Sequence, residues 1–504
     1  MNRRVGSELD RKWDEAKSAA LTLALAAAFA LVFYTCNTPL GAWIGSDNAM
    51  YLTMGTALAK GRAPYSGIFD HKGPLLFILQ MLPQLFTGGY STMAVFVQEV
   101  LFLWAGLLVL ARMARRLGVR TLAVQLVYLA VYAPTLDGAN LTEEYANLFT
   151  LIGLDTMLAV FGEGLSRDGE KKLFMPAFVM GAMAMLCFLT RANNALPLAG
   201  AVCALAAYLL FIRRFAGFGR CAAGFALGMT AAALPVIAWL AAHGALEDAF
   251  YGAIVHNFMY AETQGQSRVH TLLFEPYGHL AMLMAVLACM GALLSAVRTK
   301  RWPLAMAMVT GAAFGGFAGF ISHKFYNHYL MLGVPMAALG AAQVLAFIRE
   351  RFSRRFEKVC LAVSAVCVLA LVIMGVPVNA QRERDRLAYK TMAPDAAALY
   401  EQVPEADRDH FLAYRVEPKW YVAAQALPCM RFYFLQEILA DADPAVMDEI
   451  VEEFNTDPPR WVVLFYNRPF SPPYDARVQE IFDTRYEFVD ARGEYQLLRL
   501  KEAP

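Results

Sequence analysis

The chain has 504 residues, of which 58% are hydrophobic and only 17% charged, and its formal net charge is +1. A soluble chain carries about a quarter charged residues, so an ordinary soluble protein of this length is excluded, and a net charge near zero removes long-range attraction to nucleic acid. The mean hydropathy of +0.41 comes from a series of apolar runs in the first three quarters. The last quarter is charged and aromatic like a globular domain. The expected fold class is a polytopic α-helical membrane protein with a small C-terminal extracytoplasmic α/β domain.

In chain order, Arg3, Arg4, Arg11 and Lys12 precede the first apolar run, Ser18–Cys36. A spanning helix needs about 20 mostly apolar residues, and basic residues mark the cytoplasmic side. The run is therefore read as a span with the N-terminus inside. Its basic flank and Ala-rich core resemble a signal peptide, but its length and the lack of a clean cleavage site favour an uncleaved anchor. Further spans are expected at Thr92–Arg112, Thr121–Leu136, Tyr145–Gly162, Leu173–Thr190, Ala195–Ile212, Cys221–Ala242, Tyr277–Val297, Pro303–Ile321, Tyr329–Ile348 and Val359–Val376. That makes about eleven. With that number, the basic clusters at 112–120, 171–172, 213–220, 298–301 and 349–358 all fall on the cytoplasmic side, and the C-terminal domain lies outside an inner (plasma) membrane. Leu75–Phe86 is apolar but short, contains Gln80 and Pro83, and reads as a helix lying in the membrane interface. The transmembrane domain is expected over 1–377, with interfacial helices at about 46–90, and the soluble domain over 378–504.

This topology makes the inward loops short and basic and gathers the remaining polar residues outside. The outward set comprises Asp47, Asp70, His71, Lys72, Asp137, Glu143, Glu144, Arg191, Asn193, Asn194, His256, Asn257, His323, Lys324, His328 and Tyr329. Ionisable groups at the edges of spans are costly unless paired or facing water, so a collection of them suggests one assembled site on the outer face. Ser46 or Asp47 suits an N-cap of a helix over Asn48–Lys60; the functional reading of Asp47 is a general base near a helix N-terminus. Lys72 suits either an interfacial snorkel or a phosphate ligand, with Asp70 and His71 beside it. Of the adjacent Glu143 and Glu144, at most one faces a given site, because consecutive helical side chains diverge. No Walker loop, GxSxG elbow, HExxH or dinucleotide fingerprint is present, which disfavours those reaction classes.

Ser46-Asp47 through Tyr51, Pro64-Tyr65, Phe69-Asp-His-Lys-Gly-Pro74, the Leu141–Phe149 run and His328-Tyr329 together resemble the C-type (GT-C) membrane glycosyltransferases. They are most similar to glycosyltransferase family 39, which includes protein O-mannosyltransferases and aminoarabinose transferases. The resemblance spans roughly Ser18 to Gly340. It implies inverting transfer of a sugar from a polyprenyl-phosphate-linked donor to a lipid, glycan or protein hydroxyl on the outer face. It also implies Asp47 as the base that deprotonates the acceptor, and Lys72 as the residue that binds the lipid phosphate and stabilises its departing charge. Glu143 or Glu144 takes the second acidic position. Asp70, His71, Arg191, His256, Lys324, His328 and Tyr329 line the donor and phosphate pocket. No cofactor is assigned, with a divalent metal as the alternative for the second acid. Two departures stand out: Met50 lies where the aminoarabinose branch has arginine, and the second acid is Glu where that branch has Asp.

From about Asn379, helices are expected at Pro394–Gln402 and Pro444–Phe454, and strands at His410–Arg415, Trp461–Tyr466 and Tyr495–Leu500, with a proline-rich loop at Asn467–Tyr474. Such a domain would bind the acceptor, cover the site or act as a passive cap. Cysteines in or beside apolar runs behave as small hydrophobes, so no disulfide framework is expected. The competing function is a lipid-linked sugar flippase or transporter. Transporters carry midplane ionisable groups and repeated halves, whereas here the ionisable groups collect at one face and no repeat is evident. A non-catalytic scaffold is a third reading, and it leaves the Asp47–Lys72 loop without a purpose.

Overall fold

The computed structural model describes residues 2–40, 45–162, 172–261, 267–299, 302–321, 325–434, 436–465 and 475–501. In chain order the helices are α1 (Asn2–Phe33), α2 (Ser46–Ala59), α3 (Pro74–Thr87), α4 (Thr92–Leu117), α5 (Thr121–Tyr132), α6 (Thr142–Gly162), α7 (Phe174–Thr190), α8 (Leu196–Phe211) and α9 (Phe215–Ala242). They continue with α10 (Leu246–Phe250), α11 (His256–Ala261), α12 (Arg268–Phe274), α13 (Pro276–Thr299), α14 (Trp302–Phe320), α15 (Val334–Arg351) and α16 (Ser353–Tyr400). Last come α17 (Lys419–Ala424), α18 (Gln436–Ala442), α19 (Ala445–Thr456) and α20 (Ala476–Arg485), among strands β1 (Phe411–Tyr414), β2 (Trp461–Phe465), β3 (Tyr486–Arg492) and β4 (Tyr495–Leu500). The chain divides into two compact units: 1–34, 96–235 and 265–380 form the first, and 35–95, 236–264 and 381–504 the second.

The first unit is entirely helical. Eight helices among the described residues are long and apolar enough to cross a membrane, so the protein is a multi-pass membrane protein. The other three expected spans are helices α5, α6 and α7, of 12, 21 and 17 residues. α6 carries Glu143, Glu144 and Asp155, and the last of these accepts Arg112 Nε at 2.6 Å and Arg116 Nε at 3.0 Å. The stretch 327–351 is the most enclosed span, 78% buried, and the span within α16 the least, 17% buried. α15 reaches its neighbour α13 through a glycine pair: a Cβ on Gly340 would sit 2.2 Å from the Leu287 carbonyl oxygen, and one on Gly291 would sit 2.4 Å from Gly340 Cα. Backbones packed this closely favour small residues in place of side-chain layers.

The second unit joins the loop between α1 and α4 to the C-terminal segment. α2 is buried all round from Asn48 to Leu58, and it packs on α3 where a Cβ on Gly55 would meet the Gln80 carbonyl oxygen at 2.3 Å. α3 starts with Pro74 at its first position and ends at Gly88 with φ 74°, the favoured start and stop residues of a helix. The sheet order is β1-β2-β4-β3, with β1 parallel to β2 and the other pairs antiparallel. The three expected strands are present. The fourth, β3, and the helices α17, α18 and α20 escaped the sequence pattern. β3 is an edge strand with a bulge between Phe488 and Asp490 and charged exposed positions, which protect an edge from further pairing but erase its alternation. Trp420 stacks on Phe411 with centroids 5.3 Å apart, and Tyr414, Phe454 and Phe482 complete the aromatic core. The expected 378 boundary falls near the division at 380, but residues 35–95 and 236–264 belong with the C-terminal segment. The expected loop at Asn467–Tyr474 lies outside the described residues, and none of the eight cysteines forms a disulfide.

Candidate active site

α2 begins at Ser46, two residues before the expected start at Asn48. Gly45 is its N-cap and makes no side-chain cap hydrogen bond, and Asp47 lies in the first helical turn. Neither Ser46 nor Asp47 therefore occupies the cap position. Asp47 is half-buried at the positive end of the helix, where the aligned peptide dipoles favour its carboxylate. The neighbouring Asn48 exchanges two amide hydrogen bonds with Asn37, at 2.8 and 2.9 Å, which pins the entry to the helix.

Asp70, His71 and Lys72 are consecutive, yet their side chains converge, and all three are buried. Asp70 Oδ1 accepts the Lys72 backbone N–H at 3.2 Å and lies 3.4 Å from His71 Nδ1 and 3.6 Å from Lys72 Nζ. Lys72 Nζ is 3.3 Å from His71 Nε2 and sits over the Tyr51 ring, 5.7 Å from its centroid. Burial raises the Asp70 pKa; Lys72 opposes this, and Asp47 raises it further, so the two aspartates feel each other. The loop backbone is clamped from two sides: the Tyr65 hydroxyl donates to the Lys72 carbonyl at 2.7 Å, and the Asn257 amide donates to the His71 carbonyl. Tyr65 has φ 62°, a strained position for a bulky residue. Its fully buried ring, stacked on Phe77 at 4.3 Å, holds it there. A lysine in this setting is not a snorkel, because its ammonium is buried with its stem.

His256 follows a π-helical stretch, Tyr251–Val255, a distortion that frequents functional sites. It is fully buried, with its ring 5.9 Å from His71, 5.8 Å from Phe69 and 6.1 Å from Tyr251. Burial lowers its pKa, against the Leu439 backbone and the carboxylates of Asp443 and Asp70, so the ring is held neutral. The C-terminal segment closes on this group. Phe69 N–H donates to the Arg431 carbonyl at 3.0 Å, the Tyr433 hydroxyl donates to the Met50 carbonyl at 2.9 Å, and the Tyr90 hydroxyl donates to the Ala426 carbonyl at 2.7 Å. Arg431 bridges Asp248, at 3.1 Å, and Glu449, while the Tyr251 hydroxyl donates to Asp443. Apart from Arg431–Glu449, only 18 residues apart, nothing in the sequence signals these links, since their partners are far apart in the chain. Within the second unit the C-terminal segment is in direct contact with the 35–95 segment.

The remaining expected residues belong to the first unit. Glu143 is buried; its Oε1 lies 3.4 Å from Arg191 Nη1, and its Oε2 accepts the Thr142 hydroxyl at 2.9 Å. Arg191 also donates to the Tyr329 hydroxyl at 3.2 Å and lies over that ring, 4.8 Å from its centroid. Glu144 diverges as helical geometry requires, into a small cavity that Tyr34, Glu99, Tyr128, Tyr132 and Asn147 also line. His328 Nδ1 faces Asp137 Oδ2 at 3.4 Å. The turn before α6 carries φ 95° at Gly138, 152° at Ala139 and 61° at Asn140. The expected outward set is thus two internally connected groups, one in each unit: Asp47, Asp70, His71, Lys72 and His256 in the second, and Glu143, Glu144, Arg191, His328 and Tyr329 in the first. His323 and Lys324 lie outside the described residues. Among the described residues no group of three or more His, Cys, Asp or Glu side chains is arranged to hold a metal ion.

No family model matches the sequence, and no curated protein matches it at a significant level. Solved structures do match in fold. ArnT from Cupriavidus metallidurans bound to undecaprenyl phosphate superposes with a TM-score of 0.65 at 14% identity, over 95% of this chain and 97% of that one. Its apo state gives 0.62 at 13% identity, over 96% and 98%. The chain has a GT-C fold. An oligosaccharyltransferase from Archaeoglobus fulgidus, in complex with Zn and sulfate, matches less closely, with a TM-score of 0.51 at 12% identity over 93% of this chain and 71% of that one. At these identities the GT-C likeness is one of architecture, covering the helical unit and the C-terminal segment alike.

Proposed function

We propose that this protein is an integral membrane glycosyltransferase that transfers a sugar, with inversion, from a polyprenyl-phosphate-linked donor to an acceptor hydroxyl on the outer face of the membrane. The observation that carries this reading is the buried Lys72 ammonium, held by Asp70, His71 and Tyr51 in a chain whose fold matches a protein bound to undecaprenyl phosphate. A compact, fixed cation is what a departing phosphate needs, and a preorganised one avoids reorganisation at the moment of reaction. Asp47 takes the acceptor proton, the acceptor oxygen forms a bond to the sugar's anomeric carbon, and the bond from that carbon to the phosphate oxygen breaks. The electron pair leaves on the polyprenyl phosphate beside Lys72. Within the same unit, His256 completes the polar lining beside His71.

The test is purified protein with a polyprenyl-phosphate sugar and a panel of hydroxyl acceptors. Asp47→Asn is expected to bind donor but lose turnover, and Lys72→Ala to bind donor weakly. Full turnover by Asp47→Asn would overturn the mechanism. Donor movement across vesicles with no sugar transfer would instead identify a flippase.

A further inference from the structure

The side chains of Asp70, His71 and Lys72 form a chain of contacts that depends on one protonation state of its middle member. An ammonium has only donors, so at 3.3 Å the His71 Nε2 that faces Lys72 Nζ must be the acceptor and carry no proton. The other ring nitrogen, Nδ1, lies 3.4 Å from Asp70 Oδ1 and carries the ring hydrogen. Protonating Nε2 would remove the acceptor and place a second cation against the ammonium. Neither side chain can swing away easily, because both are over 90% buried and Asn257 and Tyr65 hold the backbone carbonyls of the two residues.

We propose that His71 is a positioning residue for the donor phosphate: neutral, it aims the Lys72 ammonium, and protonated, it displaces it, so that donor binding weakens on acidification. The inference rests on the reading of Lys72 as the phosphate ligand. Titratable and charged groups among the described residues face His71 from several elements. On its own loop are Asp70 and Lys72. From α11 comes His256, flanked by Asp443 and Tyr251, and Asp47 of α2, Tyr65 and Tyr433 face it through Asp70. Imidazole is the side chain that ordinarily changes charge between pH 5 and 8, and the test spans that range.

The test measures binding of undecaprenyl phosphate to the purified full-length protein at pH 5.5 and 8, beside donor KM and kcat. A phosphate monoester itself titrates near pH 6. The comparison is therefore between wild type and His71→Gln on the same probe, so that the lipid's own titration cancels. Glutamine keeps an acceptor for Lys72 and does not titrate, and His71→Asn provides a second variant of different length. On acidification the wild-type Kd is expected to rise roughly tenfold more than that of His71→Gln, about 1.4 kcal/mol, with the difference appearing in KM rather than kcat. Equal pH profiles for wild type and both variants, tighter wild-type binding at low pH, or an effect confined to kcat would each overturn the positioning role. Lys72→Met separates the two ideas. If it binds as tightly as wild type at both pH values, the reading of Lys72 fails; if it binds weakly while His71→Gln keeps the wild-type profile, only the role of His71 fails.

Discussion

Asp70–His71–Lys72 and Glu143–Arg191–Tyr329 solve one problem in opposite ways. Each keeps a cation and a carboxylate out of water, and each lies near residues with positive φ, Tyr65 in one case and Asn140 in the other. The first is built from three consecutive residues in a clamped loop. The second is assembled from the start of α6, the end of α7 and the segment before α15. Burying an unpaired charge costs several kcal/mol, so both groups had to be neutralised locally, but only the first does so within one short motif. A local cluster can be recognised wherever the loop sits. A distributed one exists only when three helices have already packed.

The largest expected effect tests which group carries the chemistry. Asp47→Asn should lower kcat by about 10²–10⁴, the usual loss for a missing general base, with donor KM little changed in steady-state assays; an equal loss in KM alone would move the chemistry elsewhere. Next comes the local cluster itself. Asp70→Ala removes the carboxylate that faces the buried Lys72 ammonium, which should destabilise the second unit by about 3–5 kcal/mol, seen as a lower melting temperature in detergent. In the distributed cluster, Arg191→Ala strands Glu143 in the same way and should cost about 3 kcal/mol. Arg191→Lys should recover only part of this, because a lysine cannot serve Glu143 and the Tyr329 ring with one planar group. Tyr329→Phe removes a single hydroxyl acceptor and should cost about 1 kcal/mol. If it costs as much as Arg191→Ala, the stacking account of that pair is wrong.

The smallest effect separates the two groups by pH. Burial depresses the folded-state pKa of His256. Its neutral form therefore contributes stability that is present above the unfolded imidazole value of about 6.5 and lost as pH falls from there through the lower folded value. His256→Phe keeps the ring volume against Phe69 and Tyr251 without that titration. It should melt close to wild type at pH 8 and above it at pH 5.5. Identical acid sensitivity in both proteins would assign the effect to another group.

The sequence by itself determined the class of molecule, because membrane-length apolar runs and alternating basic loops follow from bilayer thickness and insertion rules. It also determined the local motif, since Asp70, His71 and Lys72 are adjacent in the chain and a helix follows directly from Pro74. Three strands were legible from their short apolar and aromatic runs, whereas β3 was not, because Glu487, Asp490 and Arg492 interrupt its apolar residues. Tertiary structure decided the rest. Whether Glu143 or Glu144 meets Arg191 depends on the rotation of α6 about its axis, which packing sets and composition does not. That the C-terminal segment fastens onto the first loop through Arg431 and Tyr433 rests on backbone carbonyls, and every residue has one, so no side-chain pattern announces it. The burial that turns Lys72 from an interfacial snorkel into a fixed cation has the same origin: Tyr51, Tyr65 and Asn257 come from three separate segments, and only their packing excludes water from the ammonium.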